Sequence, residues 1–316
     1  MDPDVLVAGE CLVDFIPDRP GALADVGRFE RRAGGAPANV AVRLAGLGPA
    51  PYLWTRLGSD PFGDGLAATL SAHGLPERFV VRDPDAKTTL AFVAHDAEAD
   101  REFSFYREGT ADTRFRPGTV PDEALSEVDW VAAGGVCLST EPSRTAMVDL
   151  LERAAAAGCE TFFDPNARPE LWDGGFPEAM ETVLPLVDVL KATPEDLAAA
   201  GIEGDPEELL EATLELGPDT ALLTLGADGA VARASPEAPW GPAKTAHEGF
   251  DVDVVDATGA GDAFTAGALR ALADGESLVE AVAFSSAVAA AATTAEGAMS
   301  AAVDRERARE IRSNAR

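Results

Sequence analysis

The chain alternates short apolar runs with stretches of helical periodicity. Val5–Ala8 (VLVA) is a continuous apolar run, the pattern of a strand covered on both faces. Residues 37–48 set Val40, Leu44 and Leu47 on one helical face and close on a glycine. Residues 52–57 predict a second strand, and Phe62, Leu66 and Leu70 predict the apolar face of the helix after it. Further apolar strands are expected over residues 130–133, 161–163, 187–190 and 221–225, most of them separated by helical patterns. This alternation predicts an α/β fold, a parallel sheet with helices on both faces.

Two regions break the rhythm. Residues 11–16 (CLVDFI) follow the first strand with no helix between. Residues 88–95 (TTLAFVAH) and 102–107 (EFSFYR) read as a strand pair joined by the acidic stretch DAEADR. A small antiparallel accessory sheet is the expectation, and such a sheet at the edge of an α/β domain often serves as a lid over a site. The chain reads as a single domain, residues 1–316, with the lid inserted from about 11–32 and 87–110. Residues 259–302 are alanine-rich and read as helical.

Composition narrows the setting. With 316 residues and 46% hydrophobic content the chain can bury a sizeable core. No apolar run reaches membrane-spanning length, and the N-terminal MDPDVLVAGE lacks the basic segment of a secretion signal, so a cytoplasmic location is expected. There are 55 acidic residues against 25 basic ones, a net charge of −30, and the only lysines are Lys87, Lys191 and Lys244. Such a surface repels nucleic acid and anionic membranes, and neither is expected as a partner. Few lysines and abundant alanine fit a halophilic protein, whose carboxylates keep the surface hydrated while salt screens their repulsion. Cys11, Cys137 and Cys159 are widely spaced and form no CxxC pair, which argues against a disulfide framework or zinc site.

The chemistry gathers in two glycine-rich clusters. The first is Gly259-Ala260-Gly261-Asp262, where a glycine turn runs directly into a helix. Glycines let successive N–H groups point outward, and the helix N-terminus adds a positive dipole end; together they make an anion hole. A carboxylate beside that hole suits a general base that takes a proton from an attacking hydroxyl, while the hole stabilises charge on a transferring phosphoryl group. The plainer reading of Asp262 is an acidic first-turn residue that favours the dipole. Phe264 stands where a dinucleotide fingerprint has its third glycine, and no GK[ST] of a Walker loop follows. In the second cluster, Gly34-Gly35-Ala36-Pro37-Ala38-Asn39, a Gly-Gly loop enters a helix with proline in its first turn and an amide just inside. Exposed backbone and an amide suit a polyhydroxylated ligand; a tight turn at a helix start is the plainer reading.

Taken together, AGGAPANVA and DATGAGDAFTAGAL resemble the two signatures of the ribokinase-like (PfkB) carbohydrate kinase family, and the resemblance runs over essentially the whole chain. It implies a three-layer αβα sandwich around a mostly parallel sheet with a β-sheet lid, and ATP as phosphoryl donor with Mg²⁺. By resemblance, Asp262 is the catalytic base, Gly259, Ala260 and Gly261 form the anion hole, Asp14 in GECLVDF binds sugar hydroxyls, and Gly34, Gly35 and Asn39 form the sugar-contacting loop. Thr224, Gly226 and Gly229 in TLGADG resemble the nucleotide-binding turn, Lys191 lies at the nucleotide-side strand end, and Ser286 stands near the adenine where asparagine is frequent. Thr193 and Asp196 stand where many members carry the Asn and Glu of an NxxE motif, so Asp196 is the candidate for holding Mg²⁺ through water. Some members bind a monovalent cation such as K⁺ through backbone near the anion hole, for which Asp253 and Val255 are candidates.

Within the family, GECLVDFIP, FSFYREGTAD and FDPNARPELW look most like fructokinases, with 2-keto-3-deoxygluconate kinases the close alternative. Arg107, Asn166 and Arg168 are the informative substrate-side residues: an arginine there donates to hydroxyls of fructose or clamps the carboxylate of an acidic sugar. A silent sugar-binding regulator would have lost Asp262 or the GAGD turn, and both are intact. A dinucleotide oxidoreductase would need a GxGxxG after the first strand, where Gly9 is followed by Glu10 and Cys11. Lid edges invite pairing, so a homodimer through the lid is the expected assembly.

Overall fold

The structure is a computed structural model that describes residues 2–95, 101–299 and 303–314. Its strands are β1 (Val5–Ala8), β2 (Leu12–Pro17), β3 (Phe29–Gly34), β4 (Tyr52–Gly58), β5 (Val80–Asp83), β6 (Leu90–His95), β7 (Arg101–Tyr106), β8 (Trp130–Gly134), β9 (Glu160–Asp164), β10 (Val189–Ala192), β11 (Thr220–Thr224), β12 (Ala230–Ala234) and β13 (Ala243–His247). Its helices are α1 (Ala36–Leu47), α2 (Pro61–Ala72), α3 (Asp122–Leu125), α4 (Ser143–Ala157), α5 (Phe176–Val183), α6 (Pro194–Ala199), α7 (Pro206–Glu215), α8 (Ala260–Ala273), α9 (Leu278–Thr293) and α10 (Arg305–Asn314).

Nine strands form the main sheet in the order β13-β12-β11-β10-β9-β8-β1-β4-β5. Every neighbouring pair from β11 to β5 is parallel; β12 and β13 are antiparallel additions at one edge. Alternation along each strand shows why the runs are apolar throughout. Val5 and Val7 join one core with Phe162, Val189 and the inner faces of α1, α8 and α9. Leu6 and Ala8 join a second core on the opposite face, with Phe163, Leu190 and residues of α4, α5 and α7. Both faces are covered, so the central strands are apolar over most of their length, with polar residues such as Glu160, Asp164 and Lys191 at or near their ends.

The helix α8 is buried along almost its whole length and packs between α1 and α9. Its small residues permit that approach. A Cβ at Gly267 would lie 2.8 Å from Ser285 Cα, closer than a side chain tolerates, so glycine sets the α8–α9 spacing. Among the described residues no helix is long and apolar enough to cross a membrane.

A separate four-stranded sheet has the order β3-β2-β6-β7. The antiparallel expectation holds for its two hairpins, β2/β3 and β6/β7, but β2 and β6 join them in parallel. The reason is directional: β2 follows β1, and β6 follows β5 after a short turn segment, so both chains leave the main sheet from its carboxyl edge and run the same way. The connector DAEADR lies largely outside the described residues. Phe15 and Phe92 stack with centroids 4.8 Å apart, and Phe62 of α2 meets Phe15 edge-on at 5.9 Å, so the small sheet rests on the body through aromatic contacts.

The strand expected at 187–190 is displaced to Val189–Ala192, because Val187 N–H closes a tight turn on Leu184. Asp188 then accepts Thr161 N–H at 2.7 Å and the Thr161 hydroxyl at 2.7 Å, pinning the β9–β10 register. The helical reading of 259–302 resolves into two helices, with Asp274-Gly275-Glu276 ending the first and Thr294 the second; residues 300–302 lie outside the described residues.

Phe163 is fully buried at the centre of the second core. Phe163→Ala is expected to lower stability by about 3–5 kcal/mol, read as the shift of the urea midpoint at constant slope.

Candidate active site

The site forms where the parallel strands end. Gly9 and Glu10 follow β1, Asp164 ends β9, Lys191 and Thr193 stand at the end of β10, and the turn into α8 closes the far wall. Glu10, Lys191, Thr193, the turn into α8 and the base of the small sheet line a cleft of about 380 Å³. Its lining brings together Asp14, Gly35, Asn39, Asn166, Arg168, Lys191, Asp196, Gly259, Ala260, Gly261 and Asp262, residues spread over most of the chain.

The glycine turns are built as the spacing requires. Gly259 caps α8 with φ 77°, a left-handed conformation, and a Cβ there would lie 2.7 Å from Ala298 Cβ. Asp256 organises the approach: its Oδ1 accepts Thr258 N–H at 2.9 Å, and its Oδ2 accepts Gly297 N–H at 3.0 Å. Ala260 N–H turns back to Ala257 O, while Gly261 and Asp262 N–H find no carbonyl behind them among the described residues. Two donors at the positive end of a long helix are thereby presented to the cleft, the geometry that cradles an anionic oxygen. The nearest cation is close: a Cβ on Gly261 would lie 3.3 Å from Lys191 Nζ.

Asp262, in the first turn of α8, is buried. Its Oδ2 accepts Asn39 Nδ2–H at 2.7 Å, across 223 residues of sequence. Burial raises the Asp262 pKa above the ordinary carboxylate value; the Asn39 hydrogen bond opposes that rise, and the neighbouring Asp164 adds to it. The amide leaves Asn39 Oδ1 buried without a hydrogen-bond partner. An orphaned acceptor beside a carboxylate of raised basicity is an arrangement that can take up a hydroxyl-bearing ligand.

Asp14 on β2 projects beside the Gly-Gly loop. A Cβ on Gly34 would fall 1.9 Å from Asp14 Oδ2, so that glycine makes room for the carboxylate although it does not itself line the cleft. Gly35 takes φ 100° and precedes α1, where a Cβ would press on Glu10 O at 2.5 Å. Asn166 has a positive φ of 41°. Arg168 donates to Ala167 O at 2.8 Å and lies over the Phe103 ring at 5.2 Å, a contact between the body and β7.

At the other end of the cleft, Lys191 Nζ donates to Asp164 Oδ2 at 3.0 Å, and Thr265 Oγ1 to the same oxygen at 3.1 Å. Burial pushes the Lys191 ammonium down, but Asp164 and Asp196 outweigh it and hold the pKa above the usual lysine value. Thr193 and Asp196 form a capping box for α6, each side chain accepting the other's N–H. Asp196 Oδ1 also accepts Ala167 N–H at 2.7 Å. The departure from an Asn/Glu pair is therefore a helix cap that still turns a carboxylate to the cleft. Among the described residues no cluster of three acidic, cysteine or histidine side chains could hold a metal alone. A hydrated Mg²⁺ shared with phosphates needs only one or two carboxylates, and the set here fits that demand.

Other candidates lie elsewhere. Arg107 lines no part of the cleft; its Nε donates to Asp112 Oδ2 at 2.7 Å and its Nη1 to Ser139 Oγ at 2.8 Å. Sequence showed an arginine after a strand but not its acidic partner five residues on. Thr224, Gly226 and Gly229 sit at the carboxyl end of β11, one strand beyond Lys191 and outside the cleft lining. Gly229 is glycine because a Cβ would lie 1.9 Å from His247 O. Ser286 is buried in α9 with its hydroxyl on Val282 O at 2.9 Å. Asp253 and Val255 are exposed in the loop before the anion turn, where Val255 N–H donates to Thr293 O at 2.8 Å. Glu10, Asp164, Asp256 and Thr265 were not singled out from sequence.

With this geometry in place, the comparisons decide the family. The sequence pattern of the pfkB family carbohydrate kinases matches residues 2–305. The chain belongs to that family. Among its relatives, Fructokinase-1 of Zea mays is 34% identical over 307 residues, covering 93% of this chain and 93% of the relative. The kinase superposes on the ATP-bound fructokinase of Xylella fastidiosa with a TM-score of 0.88 at 31% identity, covering 98% of both chains. It also matches a double mutant of the Vibrio cholerae O395 fructokinase, with fructose, ADP and potassium ion bound, at a TM-score of 0.82 and 28% identity over 98% of this chain and 99% of that one. It is a carbohydrate kinase of mostly parallel α/β architecture.

A general base works only when ionised. Because burial raises the Asp262 pKa, the acid limb of kcat/KM is expected above the 3.8 of an ordinary aspartate, with activity falling as pH drops through it. Asp262→Asn should keep sugar affinity and cut kcat by roughly two to four orders of magnitude. Steady-state turnover with parallel calorimetric sugar titrations checks both.

Proposed function

We propose that the protein is an ATP-dependent fructokinase, moving the γ-phosphoryl group of ATP to a hydroxyl of fructose. The observation that carries the reading is the pairing of Asp262 with Asn39, whose Oδ1 stays open for a ligand hydroxyl. Asp262 takes the proton of the attacking hydroxyl, and the open N–H groups where the Gly259–Gly261 turn enters α8, those of Gly261 and Asp262, receive the charge that builds on the transferring group. Asp14 and the Gly34-Gly35 loop hold sugar hydroxyls, with Asn166 and Arg168 on the facing wall. Lys191 serves the phosphate side, and the β11 turn of Thr224, Gly226 and Gly229, with Ser286 behind it, serves the nucleoside. Mg²⁺ supplies charge neutralisation on the phosphates when bound, and Asp196 would hold it through water. A K⁺ ion has its proposed place on the backbone at Asp253 and Val255; the support is the potassium-bound relative.

For the substrate, the supporting observation is the set of fructokinase relatives. The small sheet acts as the lid that excludes water from the transfer. Its outer strands, β3 and β7, have free edges within that sheet, and Tyr106 at the end of β7 is 66% exposed, features that support a homodimer through the lid. The three cysteines are free and buried, in keeping with a reducing cytoplasm.

The deciding assay is ADP release in molar KCl with Mg²⁺. Fructose should be turned over and 2-keto-3-deoxygluconate should not; turnover of the acid alone would reverse the assignment. The net charge of −30 further supports a halophilic protein. The melting temperature should therefore rise with KCl from millimolar to molar, and a melting temperature indifferent to KCl would remove that reading.

A further inference from the structure

Glu10 is the buried carboxyl of the sugar end that the reaction does not use. It is 2% exposed, yet it borders the cleft and also a water-sized cavity of about 20 Å³ behind it, shared with Asp164, Asn166 and Thr265. Its Oε1 accepts Ala36 N–H at 3.2 Å, which fixes it under the Gly-Gly loop, and its Oε2 faces the Cys137 thiol at 3.7 Å. The neighbouring cation does not neutralise it. Arg107 gives its Nε to Asp112, itself 1% exposed, so the group Glu10, Arg107 and Asp112 carries one net negative charge when Glu10 is ionised. Of the other cations near the cleft, Lys191 is paired with Asp164, whereas Arg168 donates to a neutral backbone carbonyl and lies over the Phe103 ring, and so keeps its charge. A sugar entering here meets the carboxyl groups of Glu10, Asp14 and Asp262 against the guanidinium of Arg168.

We propose that Glu10 is a specificity-determining residue of the sugar site: its carboxylate accepts a hydroxyl of a neutral ketose and repels a sugar that carries a carboxylate of its own. The proposal rests on the fructose reading above. A carboxylate buried in a low-dielectric wall discriminates by charge, because little water screens a like charge brought beside it. The rejection is adjustable. Burial raises the Glu10 pKa to about 7, with Arg107 holding it down and Asp112 and Asp262 pushing it up. Cys11 and Cys137, the remaining titratable neighbours, have their thiol pKa values raised by burial and stay neutral over this range. Protonation of Glu10 at lower pH thus removes the repelling charge.

The test compares wild type with Glu10→Gln, whose amide oxygen can still accept Ala36 N–H and keep the loop in place. The readouts are KM for fructose and the competitive Ki of 2-keto-3-deoxygluconate, from pH 6 to pH 8.5. In the wild type the ratio Ki/KM is expected to rise roughly tenfold across that range, since about 1.4 kcal/mol of added repulsion is a factor of ten. In Glu10→Gln the ratio should be lower and rise less steeply, Asp262 being present in both proteins. A Glu10→Gln ratio that climbs as steeply as the wild type overturns the assignment to Glu10 and leaves the fructokinase reading standing. Wild-type turnover of the keto-deoxy acid in place of fructose overturns both.

Discussion

One hydrogen bond holds the two halves of the site in register: Asn39 Nδ2 to Asp262 Oδ2, 2.7 Å long and buried. Asn39 sits in the first turns of α1 and Asp262 in the first turn of α8, so the contact joins the sugar loop to the anion turn through two helix N-termini. It has three consequences at once. The aspartate is oriented, with Oδ1 left for a ligand. Its basicity is moderated, because the amide opposes the rise that burial imposes. The amide's own oxygen is left wanting a donor. Everything around the pair keeps these two helix ends where they are: the positive φ of Gly35 and Gly259, the hold of Glu10 on Ala36, and the Asp256 bonds that shape the turn before α8.

The buried ion pairs belong to the same logic. Arg107–Asp112 and Lys191–Asp164 are almost fully enclosed, and taking such charges from water costs about as much as their attraction returns. Their value lies in position: one fixes the charge beside Glu10, the other sets an ammonium beside the turn into α8. The half-exposed pairs, such as Arg233–Glu211 and Lys244–Glu207, contribute little in comparison.

Sequence revealed those parts of the molecule whose residues carry their own constraint. Apolar runs such as VLVA and WVAAG are legible because both faces of a central strand are covered, and glycine turns entering helices are legible because only glycine takes those angles. Strands β12 (AVARA) and β13 (AKTAH) escaped because they are alanine-rich and half-exposed, and β3 (FERRAG) because its charges face solvent. At the site, Asp262, Asn39, Asp14 and the glycines were legible as motifs. Glu10 and Asp164 were not, since each matters through neighbours far away in the chain, and no local pattern marks a carboxyl whose partners are Ala36, or Lys191 and Thr265. Arg107 shows the limit from the other side: its residue type pointed to a ligand, and no local pattern showed that its Nε would be held by Asp112 while its Nη2 is left buried without a hydrogen-bond partner among the described residues.

The contact of Gly267 with Ser285 has a bearing on how such a molecule can diverge. With α8 wedged between α1 and α9 by close backbone approach, substitutions that would tilt it meet backbone and cannot be absorbed by a rotamer change. The anion turn and its aspartate are therefore inherited as a unit. The proposed sugar contacts, by contrast, come largely from a separate sheet and from loops, where a changed residue disturbs few neighbours. Divergence among descendants of this architecture is channelled accordingly: the acceptor drifts while the chemistry is preserved.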